Sequence, residues 1–195
     1  MNEKELTQEE SLKVIQGMIN IAKNKINETG FHFLLWGVLV VLASLTQYLL
    51  IHQGFGNETN WIWAIMPIIG VPIAVIHEYR KSKSEQIKSK FDTIYGFLWL
   101  GFGVALIATI FISISLNTSP VAFILVIAGL ATFMSGIIYH FTPLIVGAVF
   151  LWIGGLLCPY VETIDVLLVN AGSITMGYII PGIILSRRAK IDKDV

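Results

Sequence analysis

Three histidines offer the most direct chemistry in this sequence. His32, His77 and His140 each stand at one end of a long apolar segment. Imidazole nitrogens bind transition metals, and an unperturbed histidine has a pKa of about 6.5. If the three side chains lie together at the predicted cytoplasmic face, they would form a metal site or a proton sensor. The three are far apart in sequence, and histidine is common at membrane interfaces. The simpler interpretation is three separate residues, and the sequence predicts neither a metal site nor a cofactor.

A second group consists of uncharged polar side chains within the last apolar segment. Asn170, Ser173 and Thr175 lie close together there and could line a path for an ion or a small solute. The alternative is hydrogen bonding between helices, which is the common use of such groups in membrane proteins. Both interpretations remain open at this point.

Catalytic signatures are missing. The sequence contains no HExxH, nucleophile elbow, Walker loop or paired carboxylates within an apolar segment. Only Asp92 could join the three histidines in an enzyme site, and Cys158 is the one cysteine. No basic reading motif for nucleic acid is present. We therefore expect a protein that is neither an enzyme nor a nucleic-acid-binding protein.

The composition indicates an integral membrane protein. Charged residues make up 13% of the 195-residue chain, against about 25% in soluble domains, and 55% of residues are apolar. A helix needs ~20 apolar residues to cross a bilayer. Six apolar segments, of which the second and fifth are short and are expected to extend into polar residues at their ends, predict an all-α, polytopic bundle of six transmembrane helices within a membrane domain over 31–185: 31–51, 61–76, 93–116, 121–139, 143–158 and 166–185.

The basic residues predict the orientation. All 13 Lys and Arg fall before the first segment, in the loop at 77–91, or in the tail at 186–195. Short basic loops stay in the cytoplasm. An even number of spans places all three groups on one side, so we expect both termini in the cytoplasm.

Residues 1–30 predict a cytoplasmic amphipathic helix. One apolar stripe recurs at intervals of three or four residues and consists of Leu12, Ile15, Ile19, Ala22 and Ile26. Such a helix lies on the bilayer surface or docks on a protein partner, as the 77–91 loop could also do. Gly at a helix end tolerates the left-handed conformation, so Thr29–Gly30 predicts a stop.

Small residues and prolines recur within the apolar segments. Small residues at four-residue spacing allow close helix contact, within the bundle or between copies in a homo-oligomer. Pro67, Pro72 and Pro181 predict kinks, which are either static bends or hinges. The small-residue sets are Gly70/Ala74, Gly101/Ala105, Ala128/Thr132/Gly136 and Ser173/Gly177.

A short, weakly similar sequence pattern recurs in the first, third and fifth segments. Phe33, Phe97 and Phe150 each precede a Leu/Trp/Gly pattern, which suggests three repeated hairpins. Internal repeats are common in transporters. The two intervals are unequal, however, and these residue types are frequent in any apolar helix.

The layout as a whole resembles the small six-span bacterial inner-membrane proteins of unknown function. This resemblance covers the full length, carries no diagnostic motif and implies no activity. We expect a non-enzymatic regulatory or scaffolding subunit in contact with the lipid bilayer. The alternative is a small channel or carrier for a neutral or weakly polar solute.

Overall fold

The computed structural model describes residues 8–82 and 90–191, and within these ranges the regular secondary structure is helical throughout. Two short 3-10 turns and a π-helical segment interrupt the α-helices. The seven helices are α1 (Gln8–His52), α2 (Ile62–Ser82), α3 (Lys90–Leu116), α4 (Val121–Ile138), α5 (Thr142–Leu157), α6 (Val166–Ile174) and α7 (Ile180–Ile191).

Six helical stretches are long and apolar enough to cross a membrane, so the predicted all-α, multi-pass architecture is confirmed at that level. The sixth stretch combines α6, the π-helical segment and α7, which we call the sixth span. The stretches are Gly30–His52, Glu58–Arg80, Thr93–Leu116, Val121–Ile138, Thr142–Tyr160 and Val166–Arg187.

The helix stop predicted at Thr29–Gly30 is wrong. Helix α1 continues through both residues as one 45-residue helix. Gly30 is buried, and a Cβ built on it would lie 2.9 Å from Ser186 Oγ of α7. Glycine at this position therefore allows a close helix contact instead of ending the helix. The side chains of the predicted stripe over 1–30 lie outside the described residues.

The polar loop at 77–91 is helical at both of its ends. Helix α2 runs on to Ser82 and α3 begins at Lys90, while residues 83–89 lie outside the described part. The tail predicted at 186–195 is likewise helical as far as Ile191. Each of these helices continues beyond its apolar segment because hydropathy marks the membrane and not the end of the hydrogen-bonded helix.

Four spans form the core of the bundle. Leu125 of α4, Leu144 and Leu151 of α5, and Leu185 of α7 are fully buried, and they pack with Phe33 of α1. Helix α2 packs mainly on α1 and helix α3 mainly on α4, so these two helices lie at the periphery.

Helix α1 and the sixth span run antiparallel along a seam of small residues. Gly30 approaches Ser186, Gly37 approaches Ile179, and Ser44 pairs with Asn170. The α1 residues recur every seven positions, which is the spacing that keeps one seam facing a partner helix. Glycine lets the backbones approach closely where lipid supplies no hydrophobic drive.

The sixth span contains a π-helical segment at Thr175–Ile179. The Ile180 N–H donates to the Thr175 carbonyl, one residue further than in an α-helix. Pro181 follows directly and has no N–H to donate to Gly177, which is four residues earlier. Gly147 of α5 lies against that carbonyl, at 2.8 Å from a built Cβ. The proline predicted to kink this span thus coincides with a local widening of the helix.

Candidate functional site

The candidate functional site lies at one end of the α1–α2 pair and consists of His32, His77 and Glu78. Their ligand-capable nitrogen and oxygen atoms all lie within 4.8 Å of one another. His32 Nε2 is 3.4 Å from Glu78 Oε2, and the two imidazole ring centroids are 6.2 Å apart. The arrangement offers two ring nitrogens and one carboxylate.

Packing between α1 and α2 positions these side chains. Gly70 of α2 is buried against the side chains of Trp36 and Leu39 of α1, whose outer atoms lie 2.8–3.0 Å from a built Cβ, so glycine makes room for these two side chains between the helices. Because the helices are antiparallel, His32 near the start of the first span comes level with Glu78 near the end of the second.

An aromatic contact fixes the His77 ring. Phe31 stacks on it with centroids 3.7 Å apart and planes 8° from parallel. Phe31 also meets the adjacent His32 edge-on at 5.7 Å. One phenyl ring therefore contacts both imidazoles and restricts how they turn.

The structure brings together two of the three sequence-proposed histidines and adds Glu78. His140 is exposed, lies in the turn between α4 and α5 with φ of 48°, and does not belong to the group. Glu78 was not among the predicted site residues because the second helix was expected to end at His77. Its position directly after His77 is the sequence feature that could have identified it. The Asp92 side chain lies outside the described residues.

The three residues of the proposed polar path make three separate contacts. Asn170 Nδ2 donates to Ser44 Oγ of α1 at 2.9 Å, and both residues are buried. Ser173 lies against Gly154 of α5, and Thr175 Oγ1 donates to the Ala171 carbonyl of its own helix at 2.7 Å. Only Asn170 thus makes a hydrogen bond between helices, whereas Ser173 makes a packing contact and Thr175 bonds within its own helix.

A polar network at the other end of the α1–α2 pair centres on Gln47. Its Nε2 donates to Asn60 Oδ1 at 2.8 Å and to Thr59 Oγ1 at 3.3 Å, and Trp63 Nε1 donates to its Oε1 at 2.6 Å. Gln47 is 5% exposed, so all three bonds matter for burying this amide. The network ties α1 to the 3-10 turn and to α2; the sequence offered no spacing rule that pairs these residues.

Aromatic rings fill the space between α1, α3 and the sixth span. Phe33 meets Tyr178 at 5.0 Å and Trp99 at 5.7 Å, both edge-on. The Tyr178 hydroxyl hydrogen-bonds Thr132 of α4. Trp99 Nε1 is buried without an acceptor among the described residues. This cluster holds α3 to the core while leaving one donor unsatisfied.

An open groove of about 310 Å³ lies along the outer side of the contact between α5 and the sixth span. Val146 and Phe150 form one wall, and Met176, Ile180 and Ile184 form the other. Such an apolar surface suits lipid acyl chains.

Comparison with protein-family models, with curated proteins and with solved structures finds no match for this chain. The functional argument therefore depends on the residues and contacts described above.

Proposed function

We propose that this protein is a non-enzymatic regulatory or scaffolding subunit of an assembly in a bacterial inner membrane. Six spans and basic residues confined to three segments support an orientation with both termini in the cytoplasm. The 1–30 segment and the 77–91 loop then lie on the cytoplasmic side, where a protein partner can reach them.

The glycines of α3 carry the proposal. In the core spans, helical glycines such as Gly37, Gly129 and Gly154 face a neighbouring helix closely enough that a Cβ would collide with it. Among the described residues, nothing lies within 4 Å of a Cβ built on Gly96, Gly101 or Gly103 of α3.

Glycine inside a helix costs about 0.5–1 kcal/mol relative to alanine, so three glycines on one helix without a close neighbour favour a contact from outside this chain. Small residues provide such contacts by letting another helix approach. Helix α3 also presents Phe97 and Phe111, each 68% exposed, on its outer surface. These features support contact between α3 and a helix of another chain, which would be a partner subunit or a second copy.

Site-specific photocrosslinking at native expression tests the proposal. A photoreactive residue at Val104, which is 62% exposed on α3, should give one discrete protein adduct. The matched control is Val149 of α5, which is 44% exposed and lies among other outward residues. Lipid adducts alone at Val104, or the same protein adducts at both positions, would contradict a subunit role for α3.

The sixth span favours one rival function, a carrier for a small neutral solute. Transporters use interrupted helices near the bilayer midplane, and the π-helical segment at Thr175–Ile179 is such an interruption. Reconstituted protein with Asn170→Leu should then lose flux that a Ser115→Ala control retains. Equal flux in both variants would remove the carrier proposal.

A further inference from the structure

We propose that His32, His77 and Glu78 bind one divalent transition-metal ion of the Zn²⁺ or Co²⁺ type, which joins α1 to α2. No function argued above depends on this site, and the subunit proposal stands or fails separately.

The donor set selects the class of metal. Two imidazole nitrogens and one carboxylate suit Zn²⁺ and its first-row neighbours, whereas Ca²⁺ and Mg²⁺ prefer sites built from oxygen ligands. Three protein ligands leave a fourth tetrahedral position for water.

The distances fit a metal-bridged pair. Ligands at about 2.0–2.1 Å from a tetrahedral ion are separated from each other by about 3.3 Å. His32 Nε2 and Glu78 Oε2 are 3.4 Å apart, which is long for a charge-assisted hydrogen bond of about 2.7–2.9 Å. All three ligand atoms fall within 4.8 Å, so small side-chain rotations complete the triangle.

The surrounding residues orient the ligands and leave the site open to solvent. Phe31 holds the His77 ring by stacking at 3.7 Å, as supporting groups around metal sites commonly orient an imidazole. The His32 and Glu78 side chains are 31% and 64% exposed, so an ion can enter from solvent. The network at Gln47 fixes the opposite end of the same helix pair. A metal here would therefore clamp a pair that is already aligned.

Cobalt titration of the full chain, in detergent and without a histidine tag, tests the site. We expect visible absorption bands that saturate at one Co²⁺ per chain and disappear when Zn²⁺ is added. His32→Ala and Glu78→Gln should each weaken binding by about tenfold or more, because each removes a ligand. His140→Ala and His52→Ala serve as controls and should bind within about twofold of the unaltered protein, since neither residue belongs to the group.

A second readout separates a metal site from an ordinary ion pair. Zn²⁺ should raise the unfolding temperature of the unaltered protein and of the His140→Ala variant but not of the Glu78→Gln variant, because an ion that binds only the folded state stabilises it. Helix content and elution volume check that each variant folds.

Two results would overturn the proposal. One is the absence of saturable cobalt bands in the folded protein, which would leave His32 and Glu78 as an ion pair only. The other is equal loss of binding in the His140→Ala control, which would indicate scattered surface histidines instead of a joint site.

Discussion

Replacing Gly154 by alanine tests a tight contact between α5 and the sixth span. A Cβ at this position would overlap Ser173 Oγ and lie 2.8 Å from Ser173 Cβ. Carbon atoms in van der Waals contact are about 3.5–4.0 Å apart, so the two helices would have to separate by roughly 0.7 Å or more. Overpacking of this kind costs about 1–3 kcal/mol, and we expect Gly154→Ala to lower the free energy of unfolding by that amount.

Gly172→Ala is the matched control. Gly172 precedes Ser173 in the same span, but nothing among the described residues lies within 4 Å of its built Cβ. Alanine is the better helix former by about 1 kcal/mol, so this variant should be as stable as the unaltered protein or more stable. The measurement is SDS-induced unfolding in mild-detergent micelles, followed by far-ultraviolet circular dichroism.

Second changes at Ser173 identify the cause. Ser173→Ala removes the hydroxyl but keeps the Cβ, whereas Ser173→Gly removes both. We therefore expect only Ser173→Gly to restore stability in the Gly154→Ala background. Full rescue by Ser173→Ala, or no loss of stability in Gly154→Ala alone, would refute the argument from backbone distance.

The remaining predictions use the same unfolding measurement. Gln47→Leu should cost about 1–3 kcal/mol because it leaves the Trp63 indole N–H without its acceptor and removes a bond to the buried Thr59 hydroxyl; stability equal to the unaltered protein would show that the network contributes nothing. Ser44→Ala should cost about 0.6–1.7 kcal/mol, since it leaves the Asn170 amide without its bond. Both Trp→Phe variants lose ring contacts, but Trp152→Phe should cost about 1 kcal/mol more than Trp99→Phe, because Trp152 also loses its bond to the Val126 carbonyl whereas the Trp99 indole N–H has no acceptor among the described residues; equal costs in the two tryptophan variants would contradict this difference.

Hydropathy alone predicted the six spans, because burying charge in lipid is costly enough to exclude Lys, Arg, Asp and Glu from long segments. The segment predicted at 121–139 is a helix at Val121–Ile138, and that at 143–158 is a helix at Thr142–Leu157. These boundaries agree within one residue because only a short turn separates the two segments. The bounds of such segments can be predicted without knowing which other helices they contact.

Glycine and proline were harder to interpret because their effects depend on distant residues. Gly30 matches a helix stop in the local sequence, but the nearby Ser186 of α7 shows that it serves a helix contact. Pro181 predicted a kink, but local sequence could not indicate that the span would widen into a π-helical segment. In both cases the tertiary partner decides between two local possibilities.

The candidate site was only partly predictable for the same reason. The sequence placed His32 and His77 at one depth, but depth does not distinguish neighbouring helices from distant ones. Direct packing of α1 on α2 selected these two and left His140 elsewhere. The three tryptophans of the recurring Leu/Trp/Gly pattern likewise lie in different surroundings. Trp36 contacts Gly70, Trp99 joins the aromatic cluster and Trp152 packs beside Gly129.

Native mass spectrometry of the protein, released at native expression directly from its own membrane, tests the subunit proposal most directly. The chain alone has a mass of 21.6 kDa. We predict a species that contains this mass plus a different protein at fixed stoichiometry. A population consisting only of the 21.6 kDa chain, or only of its multiples, would contradict the proposal that the protein acts as a subunit of a larger assembly.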